Sequence, residues 1–307
     1  MFVSFYSQCG VVHILFIEKY NLKLSLFKIL LIVAVSEMID TKLDRDILKS
    51  EIESSLGAFS SISLQEVGRV RLMDRVDRKF VLPVDLLPEI FRKSESSYFI
   101  QEINANRMAG YSTLYYDTPE FFFYHSHVNG QRKRTKVRIR RYNDTGIQFL
   151  EAKLKSNKGR TTKVRIERES FGGLDESAHS FLQEHIEPLS TYDLQPVLTN
   201  NFRRITLVSK TFDERITIDF NLSFQKTNGS GVLETPDLSI IEVKQNKRSY
   251  SSLGIILRDL RIKQTGISKY CLGVSQLFSE VKKNRYKQKV RSFEKVIDGK
   301  FIISEII

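Results

Sequence analysis

In the segment Arg134-Thr135-Lys136-Val137-Arg138-Ile139-Arg140 every even-numbered residue is a cation, and the residues between are Thr, Val and Ile. Side chains on a β-strand alternate between two faces, so this spacing gathers the charges on one side and the aliphatic groups on the other. Phe149–Lys155 repeats the pattern, with Glu151, Lys153 and Lys155 opposite Leu150, Ala152 and Leu154, and Thr162–Glu167 and Ile240–Lys244 follow it. One such strand is what a half-solvated sheet produces. Several in succession, carrying mostly cations and few carboxylates, imply charged faces that converge on a polyanion. Cations gathered in a cavity of low dielectric repel one another unless an anion neutralises them. Guanidinium groups grip phosphate oxygens in pairs and ammonium groups act as point charges, a combination suited to triphosphates or longer phosphate chains. Glu151, Glu167 and Glu242 have two possible roles: to pair with neighbouring cations, or to hold a divalent metal that bridges phosphate oxygens.

The whole chain is basic, with a formal charge of +12 over 307 residues, which favours phosphates, nucleic acid or an anionic membrane as partners. Nucleic acid is not expected, because the cations alternate with aliphatic residues and lack the interleaved aromatics that stack on bases. Cys9 and Cys271 are too few and too far apart for a disulfide framework or a metal knuckle. They read as unpaired thiols in a reducing, cytoplasmic compartment. His125 and His127 fall on an aromatic, turn-like segment and read as structural.

The elements that must position these charges can be read from periodicity. Apolar spacing predicts helices over Asp44–Phe59, Asp85–Ser94, Asp175–Glu187 (closed by Pro188) and Leu253–Ile262, with a helical turn at Phe121–His127. Strands are predicted around Asp74–Leu82, at Ser112–Asp117, through the three charged segments, at Gln195–Val208, Asp213–Phe224 and Leu238–Lys244, with a polar loop at Thr227–Pro236. The charged segments form a meander joined by short turns. The expected fold is α+β: an antiparallel β-tunnel, a closed barrel with a charged interior and helices packed outside. Residues 38–283 form the expected domain and 284–307 a basic tail or surface helix. Residues 1–37 read as an extension ahead of a natural start at Met38. Their apolar runs, including Leu24–Val35, fall short of the roughly 18 to 20 residues that span a bilayer, and if translated would give a weak membrane anchor.

Arg75-Val76-Asp77-Arg78-Lys79-Phe80, Tyr115-Tyr116-Asp117-Thr118, Arg138-Ile139-Arg140, Glu151-Ala152-Lys153, Ile241-Glu242-Val243-Lys244 and Ser268-Lys269-Tyr270 occur in a fixed order. Over about residues 66–280 that set resembles the VTC-type polyphosphate polymerase domain of the triphosphate tunnel metalloenzymes, relatives of the CYTH phosphatases. The resemblance implies a tunnel that binds ATP, moves its γ-phosphate onto a growing polyphosphate chain and releases ADP, using Mn2+ or Mg2+. By position, it assigns catalysis to Arg138, Arg140, Lys153 and Lys163. Phosphate binding falls to Lys79, Arg204 (or its neighbour Arg203), Arg215, Ser268 and Lys269, and the metal to Glu242. Partners would be ATP and polyphosphate, with a membrane-embedded component in attendance. The same ligands suit a tunnel triphosphatase or a non-catalytic polyphosphate or nucleotide sensor. Two positions depart from the pattern: Asp77 stands where relatives carry Glu, and Gly266 where some carry a lysine, with Lys263 close by.

Overall fold

Alternating segments become strands here because each has one face for an apolar layer and one for charge. A computed structural model describes residues 4–7, 10–13, 43–68, 70, 75–186, 193–227, 229, 231–247 and 250–304. The apolar run Leu24–Val35, Met38 and Pro188 lie outside the described residues. Strands β1 (Ser4–Ser7) and β2 (Gly10–His13) pair antiparallel. Helix α1 covers residues 43–57, followed by β3 (Ser61–Ile62) and the short helix α2 (Leu64–Val67). Next come β4 (Arg75–Pro83), α3 (Leu87–Ser94), β5 (Tyr98–Gln101), β6 (Ala109–Asp117) and α4 (Phe122–Val128). The charged meander is β7 (Arg134–Tyr142), β8 (Gln148–Lys155) and β9 (Thr161–Arg168). Its two hairpins turn through Gly146 and Gly159, at φ 74° and 79°, a conformation that glycine adopts without strain. Then follow α5 (Glu176–His185), β10 (Gln195–Ser209), β11 (Glu214–Lys226), β12 (Val232–Thr235) and β13 (Leu238–Asn246). The chain finishes with α6 (Ser252–Asp259), α7 (Lys269–Leu277), α8 (Asn284–Val296) and β14 (Ile302–Ser304).

The main sheet runs β4-β13-β11-β10-β6-β7-β8-β9, antiparallel throughout. Directly opposed residues share a face, and the registers place the charges together: Lys79 opposite Glu242, Lys244 opposite Arg215, Asp219 opposite Arg204, Arg138 opposite Glu151, Lys153 opposite Lys163. The other face is apolar. Ile216, Ile218, Ile241 and Val243 pack under α1, α3 and α6, and Val137, Ile139, Leu150 and Ala152 pack under α5. A bulge where residues 221 and 222 oppose Phe202, with Asn221 at φ 52°, switches the face β11 presents. Asp219 and, beyond the bulge, Leu222 and Phe224 therefore lie on the same side as α7.

The sheet is strongly curled. The backbone N–H of Thr265 donates to Lys79 O on β4 at 2.8 Å, while Ser268 Oγ accepts from Lys136 Nζ on β7 at 2.9 Å. On a flat sheet β4 and β7 would stand about 24 Å apart, at about 4.8 Å per strand. Three residues span at most about 11 Å, so the two strands face each other across the segment that enters α7. The expected closed barrel is nevertheless corrected. Among the described residues no backbone pairing joins β4 to β9, so this is a large, curled, open antiparallel sheet. Part of the free edge of β4 is taken by the chain before α7, through the Phe80–Gln264 bridge and the Thr265 bond.

Two segments differ from expectation. The polar loop Thr227–Pro236 contains β12, which pairs with β11 and with β14. Residues 284–307, expected as a tail or surface helix, include α8, a mostly exposed helix whose Tyr286, Val290 and Phe293 reach the same core as α7. Helix α7 itself was not anticipated. It lies against the concave side of the sheet, where a Cβ on Gly273 would stand 2.5 Å from Leu198 Cδ2 and 2.8 Å from Phe224 Cδ1. Gly273→Ala should therefore destabilise the protein by about 1–3 kcal/mol through overpacking, although alanine is the better helix former by about 1 kcal/mol. Denaturant unfolding of the variant checks this, and a gain in stability would refute the close seating of α7.

Candidate functional site

The charged face is concave, and each of its side chains is positioned by a strand whose opposite face is held in a core. Two buried carboxylates organise the cations. Glu151 on β8 accepts from Arg138 Nε at 2.8 Å and Nη2 at 2.7 Å, and its other oxygen bonds to Lys163. Burial alone would raise the Glu151 carboxyl, but Arg138, Arg140 and Lys163 outweigh it and hold it at about 2. Asp219 on β11 takes a two-pronged bond from Arg204, Nε to Oδ1 at 2.5 Å and Nη2 to Oδ2 at 2.8 Å, and a bond from Lys269 at the start of α7. Burial again opposes ionisation, and the two cations overcome it to hold Asp219 well below the usual carboxylate range. Tyr111 and Phe202, stacked with ring centres 5.2 Å apart, shelter this cluster, with Arg204 over Tyr111 and Lys269 over Phe202.

Glu242 is held more loosely, with Oε1 4.0 Å from Lys79 Nζ and Oε2 3.3 Å from Lys244 Nζ. Burial opposes its charge, and Lys79, Lys244, Arg204 and Lys153 bring it to about 2. The remaining cations have too few carboxylates to share. Burial lowers Arg140 to about 10, with the Arg138 charge adding to the effect. Burial likewise lowers Lys153, followed by the Lys79 charge, and Lys153 makes no salt bridge among the described residues. Buried polar atoms without a hydrogen-bond partner include Thr113 Oγ1, Arg140 Nε, Asn200 Oδ1 and Thr217 Oγ1. All four belong to the concave face by register, Thr113 opposite both Arg140 and Asn200, and Thr217 opposite Glu242. Each orphaned group costs about 1–3 kcal/mol, so the face is built to receive polar atoms from elsewhere.

The residues assigned from the sequence to catalysis, phosphate or metal, apart from the alternative Arg203, lie on or at the edge of this face. Lys79, Arg138, Arg140, Lys153, Lys163, Arg204 and Glu242 line it, and Arg215 sits beside Lys244 toward the ends of β11 and β13. Arg203 points away, donating to Met108 O. Ser268 caps α7 by accepting from Cys271 N and also receives Lys136, so it acts as an anchor for a cation. The site selection from sequence omitted Lys136, although the same alternation that marks Arg138 and Arg140 marks it too. Lys136 is brought down to about 8, chiefly by burial, with Lys79, Lys153 and Arg138 contributing.

For a metal, the donor set is sparse. No cluster of three or more His, Cys, Asp or Glu side chains exists among the described residues, and Glu151 and Asp219 are already committed to cations. Glu242, ionised and only loosely paired with Lys79 and Lys244, is the donor the sequence singled out. That fits Mn2+ or Mg2+ if the ion takes most of its ligands from phosphate and water, as Mg2+ does at phosphate sites.

Residues 74–278 match the family model of the VTC domain. The chain belongs to the VTC-domain family. No curated protein matches it. Solved structures similar to this VTC domain include a protein from Vibrio parahaemolyticus described as a candidate adenylate cyclase, at 13% identity over 65% of this chain and 97% of that one, TM-score 0.39. Another is a Hippeastrum protein described as a candidate adenylyl cyclase with dominant triphosphatase activity, at 16% identity over 66% and 96%, TM-score 0.38. A Pyrococcus horikoshii protein is 17% identical over 65% and 97%, TM-score 0.37.

Two outcomes are expected of the site. Glu151→Ala leaves Arg138, Arg140 and Lys163 unneutralised and should cost about 3–5 kcal/mol of stability. Added tripolyphosphate should recover more stability in the variant than in wild type; equal recovery in urea titrations would show that the anion binds elsewhere. Anion binding favours the ammonium form of Lys136, so its pKa rises in the complex. The part of tripolyphosphate affinity that depends on Lys136 should therefore be flat below pH 8 and fall as pH climbs through about 8, with proton uptake on binding. Calorimetry across that range in Lys136→Met should lose this dependence.

Proposed function

We propose that this VTC domain transfers the γ-phosphate of ATP onto a growing polyphosphate chain with release of ADP. The observation that carries the reading is the concave face itself, where cations from strands β4 to β9 and helix α7 outnumber the carboxylates and several donors lack partners. Phosphoryl transfer asks the protein mainly to position the phosphates and to offset charge on the transferring group. Arg138, Arg140, Lys153 and Lys163 face one another across β7, β8 and β9 and would hold the triphosphate. Lys79, Lys136, Arg204, Arg215 and Lys269 extend the positive surface and would bind phosphates farther along, with Ser268 anchoring Lys136. Mn2+ or Mg2+ bound at Glu242 would supply neutralisation of bridging phosphate oxygens.

The choice of acceptor turns on which groups could serve as a base. Water attacking phosphorus is helped by a base with a pKa near the working pH. Three of the concave carboxylates, Glu151, Asp219 and Glu242, are held strongly ionised and far below that range. The terminal phosphate of a polyphosphate chain is already ionised and needs no base. The polymerase therefore asks for no base, whereas a triphosphatase in the same site would have to draw on an amine such as Lys136, brought down to about 8. ATP and polyphosphate are the proposed partners, with a membrane-embedded component as recipient of the chain. No helix among the described residues is itself long and apolar enough to cross a membrane.

The test is incubation of the protein with ATP and Mn2+, with polyphosphate resolved on gels and ADP and free phosphate assayed in parallel. Long chains with stoichiometric ADP are expected, and Arg138→Ala or Lys153→Ala should lower the rate by about 10²–10³-fold while the fold stays intact. Free phosphate as the main product would replace the polymerase with a hydrolase. Binding without turnover would replace it with a sensor.

A further inference from the structure

Helix α8 lies outside the residues that match the VTC domain, which end at 278, yet it borders one end of the charged face. It packs against β4. On that strand Lys79 belongs to the charged face, and Val81, two residues on and so on the same side, is buried in the core that holds Tyr286, Val290 and Phe293 of α8. At the other side of the helix, Arg285 Nη1 donates to Asn129 O, just past the end of α4, at 3.4 Å. Helix α8 therefore reaches both the first strand of the face and the helix that packs beside β7.

One side of α8 is turned toward the segment that enters α7. Tyr286 Oη accepts from Ser268 N at 3.5 Å and donates to Ser268 O at 3.4 Å. Lys289 follows one turn later on the same side. Its Nζ donates to Gly266 O at 3.5 Å and stands 5.8 Å from the centre of the Tyr286 ring. Both contacts are long and made with neutral groups, and the side chain is exposed, so its ammonium is free to turn toward a ligand. The same stretch of chain accepts Lys136 Nζ at Ser268 Oγ and bonds to the Lys79 carbonyl through Thr265 N. Lysines from α8, β7 and β4 thus meet along residues 265–268, which span at most about 11 Å.

His127 on α4 registers the same group of charges. Its Nδ1 is buried without a hydrogen-bond partner, and burial first, then the charges of Lys136, Arg134, Lys289 and Lys79, hold its imidazole neutral with the pKa lowered to about 2. Lys289 therefore shares its electrostatic environment with cations of the concave face. Gly266 leaves the space before it open: a Cβ built there would meet one heavy atom beyond its chain neighbours, Lys289 Nζ at 3.9 Å.

We propose that Lys289 binds phosphate at the end of the concave site where the chain enters α7, completing a rim with Lys79 and Lys136. An ammonium on a flexible stem meets an anion as a point charge and needs no fixed geometry. A third cation at the rim also strengthens the field that draws anions to the opening. The choice of phosphate rests on the proposed function; the meeting of the three lysines does not. The site then extends past the end of the VTC match, and α8 is a working part of it.

The test is calorimetric titration of the full chain with long-chain polyphosphate. Lys289→Ala removes an exposed side chain, should leave Tm unchanged, and should weaken binding by about fivefold to tenfold. Lys287→Ala removes an equal charge two residues away, from a different side of α8, and should change nothing. Lys289→Arg should bind as wild type does. Gly266 is outside the left-handed region, so Gly266→Lys can be added to Lys289→Ala, and the new lysine, growing from the spot that Lys289 reached, should restore binding. Unchanged binding in Lys289→Ala overturns the proposal, and so does an equal loss in Lys287→Ala, the mark of a general field effect. A loss that Gly266→Lys does not repair assigns Lys289 to holding the Gly266 carbonyl and overturns its contact with phosphate. Arg138→Ala separates the two readings. If it binds polyphosphate as wild type does, the concave site fails and Lys289 with it; if it binds poorly while Lys289→Ala binds normally, only the assignment of Lys289 falls.

Discussion

Mutual repulsion among cations on one sheet face is the constraint around which the molecule is organised. Folding brings Lys79, Lys136, Arg138, Arg140, Lys153, Arg204 and Lys269 into each other's field, and burial makes all of those charges but that of Lys79 more costly. The fold offsets this chiefly with two carboxylates, Glu151 and Asp219, each shared between two cations, and more loosely with Glu242 beside Lys79 and Lys244; Lys136, Arg140 and Lys153 have no carboxylate of their own among the described residues. Replacing either carboxylate with a neutral residue is therefore different from removing a surface salt bridge: it strips the counter-charge from an array that is already short of it.

The scaffold that withstands this repulsion is apolar on every other side. The convex face of the sheet is covered in two portions, by α1, α3 and α6 over β4, β13, β11 and β10, and by α5 over β6 to β9. The concave face is divided by the bulge at Asn221 into a charged part and an apolar part, and α7 and α8 fill the second. Helix α7 thus has two roles. Its body is core, and its first residues, Ser268 and Lys269, reach back into the charge cluster.

How much of this is legible in the sequence depends on whether the signal is local. The strands of the meander are legible because a period of two in charge needs only six or seven residues to declare itself, and the same register shows which side chains share a face. Helix α7 hides because nearly all of its residues are buried, Tyr270 to Ser275 and Leu277, so it has no polar stripe to reveal a period. In α8 the apolar Tyr286, Val290 and Phe293 do sit at helical spacing, but lysines and arginines crowd every gap between them. Lys136 lay in plain view in the alternating segment; only the register against Lys153 and the bond to Ser268 give it a place in the site. Closure was not legible at all, because whether two strand edges meet depends on curvature accumulated over eight strands and on the chain before α7 occupying one of those edges.

The unpaired seam between β4 and β9 has a mechanical consequence. Where a barrel is sewn shut by a ladder of hydrogen bonds, its bore is fixed by strand number and stagger, and widening it means breaking backbone bonds. Here the two lips can part or approach through small changes of twist spread over the sheet, with every existing ladder intact. The cavity therefore has an adjustable girth, and under the proposed function phosphates would enter or leave along its length as well as at its ends.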